Sequence, residues 1–200
     1  MTVTIADFNV GNLHSLQKAL ERLGARTTIS PEVTDWLEAD VLVIPGDGAF
    51  AAMMAPIHGH REALAERVQS GPTLGICIGL QIVFDASAED PDVPGLGVLD
   101  GRIERVPADR LPHMGWNTVR HNGSALFEGI PDGSYFYFVH SYGVLAHDAA
   151  IAWADYGGRI VAGVEMGPTS YAVQFHPEKS AQWGLRLLEN FLNIAQEGTP

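Results

Sequence analysis

Short apolar runs alternate with an amphipathic stretch over the first part of the chain. Residues 3–6, 41–44 and 72–76 are short and mainly apolar, as expected of strands buried in a sheet. Between the first two runs, leucines at positions 13, 16, 20 and 23 recur at helical spacing, and Gly24 follows as a typical C-terminal cap. A further helix is expected to begin at Ile78. This alternation predicts parallel strands covered by helices.

The rest of the chain is richer in strands. Residues 88–101 are rich in Pro, Gly and Asp and are expected to form a loop. Apolar runs after this loop predict five more strands, at residues 102–106, 135–139, 151–154, 160–165 and 171–175. A last helix is expected from about Ser180, with apolar side chains on one face. We therefore predict an α/β fold in which a mostly parallel central sheet, flanked by helices, is extended by antiparallel strands.

The composition of the chain limits the number of domains, the partners and the cellular compartment that can be expected. The chain has 200 residues, of which 46% are apolar and 18% charged, so we expect one domain over residues 1–200 and no second catalytic domain of ordinary size. The net charge of −12 opposes binding to nucleic acid or to an anionic membrane surface, so neither is an expected partner. One cysteine rules out an internal disulfide, and the first residues lack the pattern of a secretion signal. We therefore expect a cytoplasmic protein.

The single cysteine, Cys77, lies between Gly75 and Gly79 at the end of an apolar run. This spacing is the cysteine equivalent of a nucleophile elbow, a sharp strand-to-helix turn in which a Cβ on either flanking residue would collide with neighbouring backbone. A helix from Ile78 would direct its N–H groups at the sulfur, which favours the thiolate and can stabilise an oxyanion. The alternative is a small buried cysteine without catalytic use, which the glycines alone do not exclude.

A second motif, YAVQFHPEKS, occupies residues 171–180 and is typical of a buried strand that stops at a proline. His176 and Glu178 are two positions apart, so in an extended segment their side chains lie on the same side. The carboxylate can fix the imidazole tautomer, and the imidazole can take the proton of the Cys77 thiol. The alternative is a surface His-Pro-Glu turn.

Together, the two motifs resemble those of the class I glutamine amidotransferases, whose Cys-His-Glu triad hydrolyses the side-chain amide of glutamine and passes on the ammonia. Further segments are similar to the glutaminase subunits of imidazole glycerol phosphate synthase, of histidine biosynthesis, and these lie at residues 7–13, 45–50, 112–117 and 137–142. The resemblance implies a flavodoxin-like α/β fold and a triad of Cys77, His176 and Glu178. No cofactor is expected, and no metal, because the remaining histidines show no metal-ligand spacing.

The loop PGDG at residues 45–48 is a candidate for part of an oxyanion hole. Its glycines allow a backbone N–H to be presented without obstruction, and such a hole pairs it with the N–H that follows the nucleophile. The two donors would be Gly48 and Ile78, and the resemblance implies that the hole is completed only when a loaded partner is bound. An ordinary strand-to-helix turn is the alternative. Asp47 departs from the apolar residue expected in that family, and since a carboxylate opposes an oxyanion, its side chain is expected to point away.

The resemblance also implies contacts with the substrate. Gln81 lies one helical turn after Cys77 and would help to hold the amino-acid end of glutamine. Backbone groups near Ser141 and Tyr142 would complete the pocket. A solvated helix residue is the alternative for Gln81.

The partner implied by the resemblance is a (β/α)8 cyclase subunit that forms a heterodimer with this chain. It would receive ammonia through a protected channel and make imidazole glycerol phosphate and AICAR. Asn12, Trp116, Lys179 and the polar segment 113–117 are candidates for the interface.

Other functions share part of this pattern. Glutaminases that serve pyridoxal phosphate, guanylate or anthranilate synthesis have the triad but are not expected to combine segment 112–117 with the pair at 179–180. A single-cysteine redox sensor or chaperone would need the thiol but not the His-Glu pair or Gln81. A catalytically inactive scaffold subunit is disfavoured because no triad position is lost.

Overall fold

The computed structural model describes residues 1–9, 11 and 13–198. In this part of the chain the strands are Thr2–Ala6 (β1), Arg26–Ser30 (β2), Val41–Ile44 (β3), Thr73–Ile76 (β4), Phe84–Ser87 (β5), Leu99–Arg105 (β6), His113–His121 (β7), Ser134–His140 (β8), Tyr142–Gly143 (β9), Ala150–Asp155 (β10), Arg159–Gly167 (β11) and Ser170–Val173 (β12). The helices are Leu13–Arg22 (α1), Val33–Leu37 (α2), Phe50–Met54 (α3), Arg61–Ser70 (α4), Ile78–Gln81 (α5) and Ala181–Glu197 (α6). Short 3₁₀ turns lie at His58–His60, Ala125–Phe127 and Pro177–Lys179.

The main sheet has the order β2-β1-β3-β4-β12-β11-β10-β7-β8. The strands from β2 to β12 run parallel, and those from β11 to β8 are joined by antiparallel pairings. A small second sheet joins β5, β6 and β9. This is the predicted α/β architecture, and the antiparallel extension makes up nearly half of the main sheet.

Apolar side chains fill both faces of the parallel strands, which explains their continuous apolar sequences. In β3, Val41 and Val43 face the cluster that includes α1 and α6, whereas Leu42 and Ile44 face the cluster that includes α3 and α4. All four side chains are fully buried. The loops that follow these strands are therefore fixed to a rigid layer.

Several elements differ from the prediction. The strand β7 was missed because it lies beside the edge strand β8 and its exposed and buried residues alternate, so it has no apolar run. The predicted loop at 88–101 ends earlier, since β6 begins at Leu99. The expected helix after Cys77 is a single turn, α5, which contributes little dipole. None of the helices in the described ranges is long and apolar enough to cross a membrane.

Candidate active site

Three neighbouring strands, β3, β4 and β12, place their carboxyl ends at one edge of the sheet. Their registers pair Ile44 with Gly75 and Ile76 with Val173, so the loops that follow begin at the same height. These loops carry the PGDG segment, Cys77 and His176. Ligand sites of parallel α/β sheets lie at this edge, outside the carboxyl ends of the strands.

Cys77 lies on a strained turn between β4 and α5. Its φ of 56° and ψ of −105° are unusual for a residue with a side chain. A Cβ on Gly75 would come within 2.7 Å of the Gly79 carbonyl oxygen, and one on Gly79 would collide with the carbonyl oxygen of Ile44. The two glycines therefore have the steric role that the sequence predicted.

His176 and Glu178 meet beside this turn. The His176 Nδ1 atom is 2.9 Å from Glu178 Oε1, and both side chains are buried. The residues Pro177–Lys179 form a 3₁₀ turn, so the pair does not share one side of an extended strand as predicted. The strand β12 ends at Val173. Thus the two side chains meet because the turn folds Glu178 back onto the ring.

The charge state of His176 depends on its two neighbours. Burial alone would lower the pKa of this imidazole, but interactions with Cys77 and Glu178 outweigh burial and raise the pKa to about 10. Because the carboxylate accepts from Nδ1–H, the other ring nitrogen, Nε2, is left for proton exchange, and it is buried without a hydrogen bond among the described residues. The raised pKa favours the protonated form of His176 near neutral pH.

Asp47 does not point away from the site, and that prediction is wrong. Its Oδ1 atom lies 3.5 Å from His176 Nε2 and 3.5 Å from the Nζ atom of Lys179. The side chain packs against Gly11, where an added Cβ would lie 3.0 Å from the Cβ of Asp47. The attraction of two cationic neighbours turns the carboxylate inward.

The PGDG loop is packed onto α5. A Cβ on Gly46 would collide with the side chain of Ile78, so the close approach of this loop to the residue after the nucleophile requires glycine. Gly48 and Ile78, the two predicted oxyanion donors, line the same cavity as Cys77.

This cavity has a volume of about 730 Å³, the size of a small-molecule site. The predicted residues Gln81, Ser141 and Tyr142 line it, together with Trp116 and Lys179. Gln81 is 3% exposed and is not a solvated helix residue. Its Nε2 atom donates to the Tyr142 carbonyl over 2.9 Å and to Gln174 Oε1 over 3.2 Å.

Two residues of the site were not predicted from the sequence. Gln174 Nε2 donates to Cys77 Sγ over 3.6 Å. Gln174 is a polar residue in an otherwise apolar strand pattern, which was an available signal. Glu89 lines the cavity and accepts a hydrogen bond from the Phe50 N–H. It lies in a loop predicted only as a connection, and nothing in the local sequence singles it out.

The predicted interface residues have different surroundings. Trp116 is 53% exposed, and Lys179 is about one-third exposed. Asn12 lies outside the described residues. His113, part of the polar segment proposed for the interface, is instead buried inside the sheet edge.

The comparisons with known proteins agree with this geometry. Residues 4–195 match the family of class-I glutamine amidotransferases, and the chain belongs to that family. A solved glutamine amidotransferase structure covers 97% of this chain and 98% of its own with a TM-score of 0.75, and at 21% identity it supports the fold.

Relatives with higher sequence identity show to which members of this family the chain is similar. The HisH subunit of imidazole glycerol phosphate synthase from Renibacterium salmoninarum is 45% identical over 96% of this chain and 94% of the relative. The HisH subunit from Cutibacterium acnes is 46% identical over 96% of both chains. The chain therefore belongs to the HisH subunits of imidazole glycerol phosphate synthase.

Proposed function

We propose that this chain hydrolyses L-glutamine to glutamate and ammonia with Cys77 as nucleophile, His176 as acid and base, and Glu178 as the residue that orients His176. The observation that carries the proposal is the strained Cys77 beside a His176–Glu178 hydrogen bond of 2.9 Å. A buried histidine fixed in this way supports proton transfer to and from a sulfur nucleophile.

The reaction begins with the proton of Cys77 held on His176, and the sulfur attacks the amide carbon. The carbonyl oxygen becomes an oxyanion, for which the N–H groups of Ile78 and Gly48 are the proposed donors. His176 then protonates the leaving nitrogen, the carbon–nitrogen bond breaks and ammonia departs. Water, deprotonated by His176, attacks the thioester; glutamate leaves, and the proton returns to the sulfur.

The cavity supports binding of the amino-acid end of glutamine. Gln81 is engaged with the Tyr142 carbonyl, so it would act by fixing the Ser141–Tyr142 backbone of the pocket. Glu89 lines the cavity with a carboxylate that can pair with the α-ammonium group of the substrate. A buried site of this kind accepts a zwitterion only where each charge meets a polar partner.

An exposed apolar patch beside the cavity supports the proposal of a partner subunit. Met114 and Trp116 on β7 share a face with Tyr135 on β8, and the three side chains are 53–62% exposed. Trp116 also lines the cavity mouth. Exposed aromatic and methionine side chains of this kind are typical of interface cores. The proposed partner is the (β/α)8 cyclase of a cytoplasmic heterodimer, which would take the ammonia to make imidazole glycerol phosphate and AICAR.

Substitution of the nucleophile tests the proposal. Cys77→Ser in the complex with the cyclase should abolish glutamine-dependent product formation and leave formation from added ammonia intact. A glutamine-like alkylating agent should label the unmodified chain at one site and the variant at none. Loss of the ammonia-dependent reaction as well would show that Cys77 has a structural role.

A further inference from the structure

A chain of buried hydrogen bonds runs from strand β7, next to the edge of the sheet, to residues that line the cavity. His113 and His140 face each other across the β7–β8 pairing, and His113 Nδ1 is 3.0 Å from His140 Nε2. His140 Nδ1 is 2.8 Å from the Tyr142 carbonyl oxygen. At the outer end, Asn117 Nδ2 is 3.2 Å from His113 Nε2.

The direction of every proton in this chain is determined. A carbonyl oxygen only accepts, so His140 carries its proton on Nδ1 and its Nε2 accepts from His113. His113 therefore carries its proton on Nδ1, and its Nε2 accepts from the Asn117 amide. That amide is oriented by two further bonds, from Nδ2 to the Asp155 carbonyl and from the Thr118 N–H to Oδ1.

Both rings are held in an environment that keeps them neutral. His113 is stacked between Tyr156, at 3.9 Å between ring centroids, and Phe138, at 4.6 Å. The pKa of each ring is lowered to about 4, chiefly by burial, and for His113 the electrostatic effect of His140 contributes to this lowering. Neither ring changes charge near neutral pH, so the tautomers stay fixed.

The carbonyl at the inner end belongs to the substrate pocket. The Tyr142 oxygen accepts hydrogen bonds from His140 Nδ1–H and Gln81 Nε2–H, and both residues line the cavity. On the other side, the Ser141 carbonyl accepts from the Val106 N–H. The Ser141–Tyr142 segment is thus fixed from two directions, and one of them depends on the tautomer of a histidine.

We propose that His113 and His140 are positioning residues for glutamine. His113 keeps His140 in the Nδ1–H tautomer by donating a hydrogen bond to its Nε2 atom. His140 in turn holds the Ser141–Tyr142 backbone and Gln81 in the geometry that binds the amino-acid end of the substrate. The proposal rests on the glutaminase function. Neither ring exchanges a proton in the reaction, so their loss should weaken substrate binding more than it slows chemistry.

Two substitutions at one position distinguish this role from simple packing. Asn at position 113 places an N–H donor near the position of Nδ1, whereas Leu fills similar space without a donor. In the complex with the cyclase and its ligand, His113→Leu should raise the KM for glutamine on the order of tenfold, the usual worth of one hydrogen bond, with kcat within about threefold. His113→Asn should stay within about threefold of the unmodified complex in KM.

The control is His121→Leu, which removes another histidine of β7 that stacks on Phe127 and bonds the Ile130 carbonyl, away from the cavity. It should leave KM unchanged. A spectroscopic readout uses the free chain: ¹⁵N spectra of the imidazoles should show His113 and His140 as Nδ1–H tautomers, and His113→Leu should shift His140 toward Nε2–H.

The outcomes separate the two proposals. An unmodified complex that does not hydrolyse glutamine would refute the proposed function. The tautomers measured in the free chain would still test whether His113 fixes the tautomer of His140. Equal KM values for His113→Leu and His113→Asn, a loss in kcat alone, or an Nε2–H tautomer of His140 in the unmodified chain would overturn the positioning role.

Discussion

Replacement of Asp47 by Asn tests whether its carboxylate restrains the catalytic base of the free subunit. The carboxylate lies 3.5 Å from His176 Nε2, the nitrogen proposed to exchange a proton with Cys77. It competes with the thiolate for that proton and opposes the oxyanion that forms in the same cavity. Asn keeps the shape and the packing against Gly11 but removes the charge. We therefore expect Asp47→Asn to raise kcat of the free chain.

The size of the effect is that of a charge repulsion in the cavity. A carboxylate and an oxyanion about 4 Å apart repel each other by roughly 1 to 4 kcal/mol for effective dielectric constants of about 80 to 20. Asp47 is 31% exposed, and the Lys179 ammonium group lies 3.5 Å from the same oxygen, so much of this energy is screened or offset. The lower end, roughly 1 kcal/mol, corresponds to about a fivefold rise in kcat.

The assay is steady-state release of glutamate by the free chain, together with the rate of Cys77 alkylation as a function of pH. Alkylation of the variant should be faster than that of the unmodified chain because removal of a nearby anion favours negative charge on the attacking sulfur. Lys179→Met is a matched opposite change, since it removes the offsetting cation and should lower both rates. An unchanged or lower kcat for Asp47→Asn would refute the reasoning.

Three further predictions follow from the same geometry. His176→Ala removes the proton carrier whereas Glu178→Gln keeps a hydrogen bond to it, so the first should cost more kcat; equal losses in folded variants would contradict the roles proposed. The free chain should bind glutamine but turn it over slowly, and the cyclase with its ligand should raise kcat by roughly 10²–10³, the usual worth of an oxyanion donor; a free chain as fast as the complex would show that the hole is preformed. Burial, partly offset by the bond to the Tyr142 carbonyl, lowers the pKa of His140 from 6.5 to about 4, so its contribution to stability is complete above pH 6.5 and is lost as the pH falls toward 4. Denaturant unfolding at pH 7 and pH 4 should show an acid loss smaller by roughly 3 kcal/mol in His140→Gln, and an equal acid loss in both proteins would contradict this.

Local sequence was sufficient to predict four of the parallel strands, β1, β3, β4 and β12, and the residues of the proposed triad. The parallel strand β2 was missed because its exposed and buried residues alternate and it has no apolar run. A continuous apolar run, as in β3, predicts a strand buried on both faces, and this prediction does not require knowing which strands lie beside it. The glycines around Cys77 are required because a Cβ at either position would collide with backbone of the turn or of the adjacent strand. Their spacing therefore predicts the shape of the turn. The proline after His176 does not set the end of the strand, since β12 already ends at Val173.

Contacts between distant segments could not be predicted in this way. The inward direction of Asp47 depends on Lys179, and the role of Gln174 depends on Cys77 and Gln81, which lie far from it along the chain. The tautomers of His113 and His140 depend on the pairing of β7 with β8, and β7 has no apolar run from which it could be predicted. Sequence by itself determined the strands with continuous apolar runs, the turn at Cys77 and the chemical groups available, because steric and hydrophobic effects act over a few residues. Only the tertiary structure decided which charges and hydrogen-bond donors face those groups, because these energies depend on distances of a few ångströms between residues that folding alone brings together.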